Sequence, residues 1–143
     1  MAKNVPTILV ASAARITSDV SSAVEVRAGL KALAVVLDVT NADTDAGDTL
    51  NVRIQTTFDN VNYSDIASFA QVIGTAAAGK QEAIINCEVA PTTPLQAPTA
   101  GSLAAGSILQ GPIGPQIRAA WAIVNSGPAD ASFTFGVTVL PIH

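Results

Sequence analysis

Charged residues are scarce in this sequence. They make up 13% of its 143 residues, whereas hydrophobic residues make up 49%; an ordinary globular domain carries about 25% charged residues. Disordered chains are rich in charge and poor in apolar residues, so this composition excludes general disorder. The length suits one domain whose core needs neither a metal nor a disulfide for stability. We therefore predict a single domain over residues 1–143.

Basic residues and long apolar runs are also few. The seven Lys and Arg residues are scattered and the formal net charge is −4. This argues against a nucleic-acid partner, because binding phosphates requires clustered basic side chains. The longest apolar stretch near the start, residues 5–11, is far shorter than the roughly 20 residues that cross a bilayer, and it lacks the pattern of a signal peptide. We expect no nucleic-acid partner, no membrane partner and synthesis in the cytoplasm.

The sequence has one histidine and one cysteine. Acid–base and nucleophilic catalysis need a base held within hydrogen-bond reach of its proton, and His143 is the last residue, where chains fray by default. No G-x-S-x-G, P-loop, H-E-x-x-H or C-x-x-C motif occurs. Cys87 alternates with Ile85 and Val89, which indicates a small buried apolar residue. We expect no enzymatic activity, no catalytic residues and no cofactor.

Acidic and amide side chains gather in one predicted loop, at Asn41, Asp43, Asp45 and Asp48. Calcium prefers oxygen ligands of this kind. An EF-hand counted from Asn41 would need Gly and Glu at its sixth and twelfth positions, where the sequence has Ala46 and Val52. The EF-hand motif is therefore absent and no metal ligand is assigned. Two interpretations stay open, a looser calcium site and a solvated hairpin tip built from turn-forming residues.

Short runs of alternating apolar and polar side chains dominate the sequence, and a period of two indicates strands with one buried face. The clearest runs place the following sets on one face: Val24 and Val26; Leu33, Val35, Leu37 and Val39; Leu50, Val52 and Ile54; Ile117, Ala119, Trp121 and Ile123; Phe133, Phe135, Val137 and Val139. Weaker runs bring the total to about eight strands, separated by turns rich in Asp, Asn and Gly. We predict an all-β antiparallel β-sandwich and prefer a jelly roll to an immunoglobulin-like sandwich.

One long segment carries no charge. Residues 89–117 contain five prolines and four glycines, and proline cannot donate to a sheet ladder, so much of this segment should be an extended arm or loop. A disordered loop is one interpretation. An arm packed on a neighbouring chain is the other, because the segment carries large apolar residues where a solvated linker would carry polar ones. The predicted intersubunit or capsid interface consists of Leu95, Leu103, Ile108, Leu109 and Ile113.

Aromatic residues make up only 4% of the chain. Carbohydrate-binding sandwiches use aromatic faces beside a few polar groups, and Phe58, Tyr63, Phe69 and Trp121 are available for such a role. However, Trp121 shares its parity with Ile117 and Ile123 and is therefore predicted to lie in the core. The aromatic residues give only a weak signal for glycan binding.

Several fragments resemble a pattern found in small structural proteins of tailed bacteriophages. They lie at residues 37–40 (LDVT), 49–56 (TLNVRIQT), 59–71 (DNVNYSDIASFAQ), 114–121 (GPQIRAAW) and 133–137 (FTFGV). The similarity covers about residues 30–140 as spaced fragments. The chain departs from the pattern at Asn60, where glycine is usual, and at Tyr63, where tryptophan is usual. In size, the chain is most similar to the head decoration, or cement, proteins of short-tailed phages such as those of Bordetella.

The resemblance implies a jelly roll or a related sandwich on the outer surface of the virion. It also implies contacts with the major capsid protein, which such a protein bridges and stabilises, and self-association as a homodimer or homotrimer on a symmetry axis. It carries no catalytic residues. The alternative is a module of the phage tail, neck or fibre that binds a receptor or a glycan.

Overall fold

The alternating runs form β-strands in the computed structural model, which describes residues 1–42, 44–90 and 100–143. Seven strands have six residues or more and four have two. In chain order they are β1 (Thr7–Arg15), β2 (Asp19–Val20), β3 (Val24–Glu25), β4 (Ala32–Asn41), β5 (Thr49–Thr57), β6 (Tyr63–Ser68), β7 (Val72–Ile73), β8 (Gly79–Asn86), β9 (Ser107–Ile108), β10 (Gln116–Val124) and β11 (Phe133–Ile142). The described residues form no helix that could span a membrane.

The strands form two antiparallel sheets, which confirms the predicted antiparallel β-sandwich. The first sheet has the order β1-β11-β4-β8 and the second the order β2-β10-β5-β6-β9, with β3 also paired to β10 and β7 to β5. β1 and β11, the first and last strands, pair with each other at one edge of the first sheet. Most pairs therefore join strands that are distant in sequence.

The core lies between the two sheets and contains the residues that the alternation placed on one face. β4 contributes Leu33, Val35 and Leu37, which are fully buried, and the facing sheet contributes Ile54 and Ile117. Burying a side chain of this size stabilises the fold by roughly 1.5–3 kcal/mol. One continuous cluster of buried side chains thus joins both sheets.

Residues 100–115, which belong to the uncharged segment, pack against their own chain and are called the return segment below. Within it, β9 pairs with β6, the N–H of Leu109 donates to the carbonyl of Ile66 at 2.9 Å, and the N–H of Gly111 donates to the carbonyl of Asn86 at 3.0 Å. Since β6 and β8 belong to different sheets, the return segment connects them along one side of the sandwich.

Side chains occupy both edges of the first sheet. At the β1 edge, the guanidinium of Arg15 donates to the carbonyls of Ala11 and Ala13, at 2.7 and 2.9 Å. The same guanidinium carbon lies 5.2 Å from the ring centre of Trp121 and 4.9 Å from that of Phe135, two rings in edge-to-face contact. Arg15 therefore closes the gap between the sheets at this edge.

The β8 edge is occupied by the side-chain amide of Gln110, from the return segment. Its Nε2 donates to the carbonyl of Ile84 at 3.3 Å, and its Oε1 accepts the N–H of Asn86. An amide that both donates and accepts along a strand occupies the positions that a neighbouring strand would use. This part of the edge is thus already paired.

Candidate functional site

Part of the outer face of the first sheet is apolar, like its inner face. In one row across the sheet, Ile8 lies beside Thr138, Thr138 beside Val36, and Val36 beside Glu82. In the next row, Leu140 lies beside Ala34 and Ala34 beside Ile84. We call the six uncharged residues of these two rows the apolar face: Ile8, Ala34, Val36, Ile84, Thr138 and Leu140.

The apolar face is open to solvent in this chain. Ile8 is 67% exposed and Ile84 is 60% exposed, at opposite sides of the sheet. The small side chains of Ala34 and Thr138 leave a shallow depression of about 280 Å³ between them, also bordered by Pro6. A strand that is apolar on both faces is typical of a sheet covered on both sides, so the apolar face is a candidate docking surface.

Charge lies at the border of the apolar face. Glu82 ends the first row beside Val36. One step further along the strands, Asp38 pairs with Lys80 at 3.6 Å, and both side chains are solvent-exposed. An exposed pair of this kind contributes little stability. Glu82, at this border, therefore has no ion-pair partner among the described residues.

A polar cluster lies on the second sheet, centred on the buried carboxylate of Asp65, which is 2% exposed. Its Oδ1 accepts Gln55 Nε2 at 2.8 Å and the N–H of Gly101 at 2.9 Å, and its Oδ2 accepts the N–H of Leu103 at 3.0 Å. The Nε of Arg53 lies 3.6 Å from Oδ2. This carboxylate thus fixes the beginning of the return segment onto β5 and β6.

The cluster continues from Gln55 toward β10. Gln55 Oε1 accepts Arg118 Nε at 2.8 Å, and the guanidinium carbon of Arg118 lies 3.7 Å from the ring centre of Tyr63. The Tyr63 hydroxyl donates to Oε1 of Gln116 at 3.2 Å. Tyr63 therefore serves as a platform for a cation and has one ring face already covered.

No protein-family model, no curated protein and no solved structure matches this chain. The resemblance to phage head proteins stays a prediction.

Four of the five predicted interface residues lie in the return segment. Leu103, Leu109 and Ile113 are half-buried, and Ile108 is 36% exposed in β9. Leu95 lies outside the described residues. Ile108, in β9, belongs to the second sheet, whereas the apolar face lies on the first. Their contact with another subunit stays a prediction.

Sequence reasoning did not identify the apolar face. The alternation of Leu33, Val35, Leu37 and Val39 indicated the buried face of β4, and the residues between them were assigned to the solvent-exposed face. The sequence did contain a signal for the apolar face, because Ala34 and Val36, which alternate with the core residues of β4, are apolar too. A nearly continuous apolar strand indicates burial on both faces, and here the second cover is absent from the chain that the structure describes.

The aromatic residues divide between core and surface. Trp121 is 9% exposed and its indole N–H donates to the carbonyl of Thr17 at 3.0 Å, which confirms its predicted place in the core. Phe69 is also buried. Phe58, by contrast, is 62% exposed beside the turn after β5. Neither buried ring can serve as a stacking face for a ligand.

The acidic loop contains a buried carboxylate, Asp48. It accepts the N–H and the hydroxyl of Ser126, at 2.8 and 3.1 Å, and the hydroxyl of Thr44. These hydrogen bonds, that from the Ser126 N–H foremost, lower the pKa of Asp48. Asp48 thus joins the loop before β5 to the loop after β10. Asp43 lies outside the described residues, among which no cluster of three metal-ligating side chains occurs.

The cysteine and the histidine lie far apart in the sequence and differ in setting. Burial, followed by the nearby charge of Glu88, raises the pKa of the Cys87 thiol, so it stays protonated at neutral pH. Its Sγ donates to the carbonyl of Ile85 at 3.6 Å, and the residue is half-buried. The backbone N–H of His143 donates to Asn4 at 3.0 Å. A protonated thiol is a weak nucleophile.

Proposed function

We propose that this protein is a virion structural protein that decorates the outside of an icosahedral phage head and stabilises it by bridging major capsid protein subunits. The observation that carries the proposal is the apolar face, an uncovered sheet surface of Ile8, Ala34, Val36, Ile84, Thr138 and Leu140. Self-association on a symmetry axis of the shell belongs to the same proposal.

The strand order supports a jelly roll, which we infer as the fold within the sandwich class. β2 and β3 both pair with β10 and count as one interrupted strand. Leaving aside the two-residue β7 and β9, eight main strands remain, and in sequence rank their orders are 1-8-3-6 and 2-7-4-5. Each sheet thus alternates early and late strands, as wrapping a long hairpin into two sheets requires.

The size of the apolar face favours a repeated lattice over an isolated pair. Strands about 4.8 Å apart that rise about 3.4 Å per residue give the six positions of the face an area of roughly 200 Å². A stable free complex needs about 800 Å² per partner. Copies held on one shell can share neighbouring contacts and gain avidity from them, so a modest face suffices there. Binding to the assembled shell alone also stabilises that shell by mass action.

The border of the face indicates the chemistry of the partner surface. Glu82 closes one row of the apolar face, and the chain as a whole carries a net charge of −4. A complementary capsid surface is therefore apolar at its centre with a Lys or Arg opposite Glu82. Such a charge pair would fix the orientation of the protein more than its affinity.

The direct test uses heads of the phage that encodes the protein, prepared without it. Ile84→Asp and Ile8→Asp place a charge on exposed positions of the apolar face, so the fold should tolerate them. Val124→Asp, at an exposed position at the end of β10, is the matched control. Wild type and control should cosediment with the heads and raise their disruption temperature, and the two face variants should bind at least about tenfold more weakly. Equal binding by all four proteins would refute the proposed docking face, and no binding by wild type would refute the function.

A further inference from the structure

Two buried polar atoms on neighbouring strands of the second sheet have no hydrogen-bond partner among the described residues. They are Nε of Arg53 in β5 and Oγ of Ser68 in β6. Arg53 and Ser68 are directly paired in the register of the two strands, so their Cβ atoms lie about 4.5–5.5 Å apart on the same face of the sheet. Ser68 is 3% exposed. Buried polar side-chain atoms usually have a partner, which is either protein or ordered water, so both atoms require an explanation.

The carboxylate of Asp65 lies beside this pair. Its Oδ2 accepts the N–H of Leu103 at 3.0 Å. Nε of Arg53 is 3.6 Å from the same oxygen, which is longer than a direct N–H···O hydrogen bond. A polar contact of this length is often bridged by water. A carboxylate oxygen can accept a second hydrogen bond, so Oδ2 can take one more donor. The charges of Arg53 and Asp65 balance each other, so the site as a whole is neutral.

The return segment runs alongside the site. It is held at one end by the bond from Leu103 to Asp65 and at the other by the N–H of Gly106, which donates to the carbonyl of Ser68 at 2.8 Å. Ser107 then pairs with Ser68 in the β6–β9 ladder. Because the polar atoms at the site are themselves buried, a molecule bound to them should exchange more slowly than water on an exposed surface.

We propose that Arg53, Ser68 and Asp65 together bind one buried water molecule, which links β5 to β6 next to the return segment. The Nε–H only donates, the carboxylate only accepts and the hydroxyl can do both, so the ligand must accept one hydrogen bond and donate another. A single water can join atoms up to about 5.8 Å apart, which is twice a hydrogen-bond length of about 2.9 Å. Three polar partners are also the usual number for a buried water.

The charges at the site argue against an ion as the ligand. Chloride would lie against the carboxylate of Asp65, and a metal cation would lie against the guanidinium of Arg53, so each would meet a like charge at short range. A neutral molecule avoids both repulsions. The site is also separate from shell binding, because it lies on the second sheet and the apolar face lies on the first.

The first test counts bound waters by oxygen-17 magnetic relaxation dispersion of the full chain, which responds to waters that stay bound while the protein tumbles. One buried water per roughly 27 residues gives about five for a chain of this length, so losing one should lower the dispersion amplitude by about a fifth. Ser68→Val, which replaces the hydroxyl with apolar bulk, should cause this loss, and Ser68→Thr, which keeps a hydroxyl, should not. Ser12→Val, at an exposed position of β1, is the matched control and should match wild type. An unchanged amplitude in Ser68→Val would overturn the proposal.

A crystal structure of the wild-type chain provides a second test, which remains decisive should Ser68→Val fail to fold. Density for one water should lie within about 3.2 Å of both Arg53 Nε and Ser68 Oγ. Direct hydrogen bonds from these two atoms to other protein groups, with no water between them, would overturn the proposal. An anomalous bromide peak at the same position after a soak would show an anion site and would overturn the assignment to water.

Discussion

The carboxylate of Asp65 in β6 accepts a hydrogen bond from the backbone N–H of Gly101, 36 residues later, at 2.9 Å. This bond holds the beginning of the return segment on the second sheet. With the additional bond from Leu103, one buried side chain accepts two backbone hydrogen bonds that a neighbouring strand would otherwise accept. This carboxylate therefore adds to the pairing of β6 with β9 and to the backbone hydrogen bonds that hold the return segment.

Replacing Asp65 with alanine should be among the most damaging single changes in the protein. Asp65→Ala leaves Arg53 without a counter-charge and removes the acceptor of the part-buried backbone N–H groups of Gly101 and Leu103. Removing one partner of a buried ion pair costs about 3–5 kcal/mol. Urea unfolding should show a loss of this size, and amide exchange at Gly101 should accelerate. Asp130→Ala, at an exposed position, should change stability by less than about 0.5 kcal/mol; an equal loss in both variants would contradict the assignment.

Acid should destabilise the protein in a defined pH range. Hydrogen bonds from Ser126 and Thr44 lower the pKa of Asp48, and those from Asn62 lower the pKa of Asp59, both below the ordinary value of 3.8. At pH values between the folded and the unfolded pKa, the unfolded chain binds more protons, so stability rises with pH there. The contribution is complete above about pH 4 to 5 and is lost as the pH falls further.

The measurement is the urea midpoint between pH 7 and pH 2. Asp48→Asn and Asp59→Asn should each be less stable than wild type at pH 7 and should each lose less stability on acidification. Asp130→Asn is the control, because that exposed side chain has no hydrogen-bond donors within the described chain. A pH profile that stays parallel to that of wild type in both loop variants would show that these carboxylates do not carry the acid sensitivity.

Arg15 should stabilise the edge of the sandwich through both rings and carbonyls. Its guanidinium lies over Trp121 and Phe135 and donates to the carbonyl of Phe135 at 2.9 Å. Cation–π contacts contribute about 0.5–2 kcal/mol and charged hydrogen bonds about 1.5–3, so Arg15→Ala should cost about 1–3 kcal/mol. Trp121 is the sole tryptophan of the sequence, and its fluorescence reports the change directly. Arg27→Ala should leave both the emission and the stability unchanged, and an equal effect there would count against this role.

Two glycines offer a matched test of close packing. A Cβ added at Gly114 would lie 1.7 Å from the carbonyl oxygen of Thr57, whereas one added at Gly79 would lie 4.0 Å from its nearest neighbour, the carbonyl oxygen of Ala77. Gly114→Ala must therefore displace backbone and should cost about 2–3 kcal/mol or more. Gly79→Ala should change stability by less than about 1 kcal/mol. Thermal unfolding of the two variants should separate them clearly; similar midpoints would disagree with the packing at Thr57.

The sequence predicted the features that depend on local periodicity. Leu33 and Val35 alternate with their neighbours and lie in the core because a strand turns successive side chains to opposite faces. Asn60, in the turn between β5 and β6, adopts a φ of 61°, a conformation that asparagine tolerates better than most residues. Its neighbour Asp59 holds that turn by accepting the N–H of Asn62 at 2.7 Å.

The features that depend on long-range pairing were not predictable in the same way. Asp65 looks like an ordinary polar residue of a half-exposed strand, because its partner Gly101 is far away in the sequence. The ion pair of Asp65 with Arg53 likewise requires β5 and β6 to be neighbours. Pairings of this kind follow from topology, which local alternation does not determine. The second apolar parity of β4 was visible in the sequence, but its meaning depended on knowing that nothing in the described chain covers it.

Side chains that cover the edge strands of a sheet limit how a protein can polymerise. A bare edge strand invites a further strand from another molecule and so leads to sheets that extend without limit. Here Arg15 covers carbonyls along β1 and Gln110 occupies positions along β8, so lateral addition to the first sheet is obstructed on both sides. Crowded copies of this protein should therefore not extend the first sheet edge to edge, and contacts between copies at this sheet should be made through its outer face.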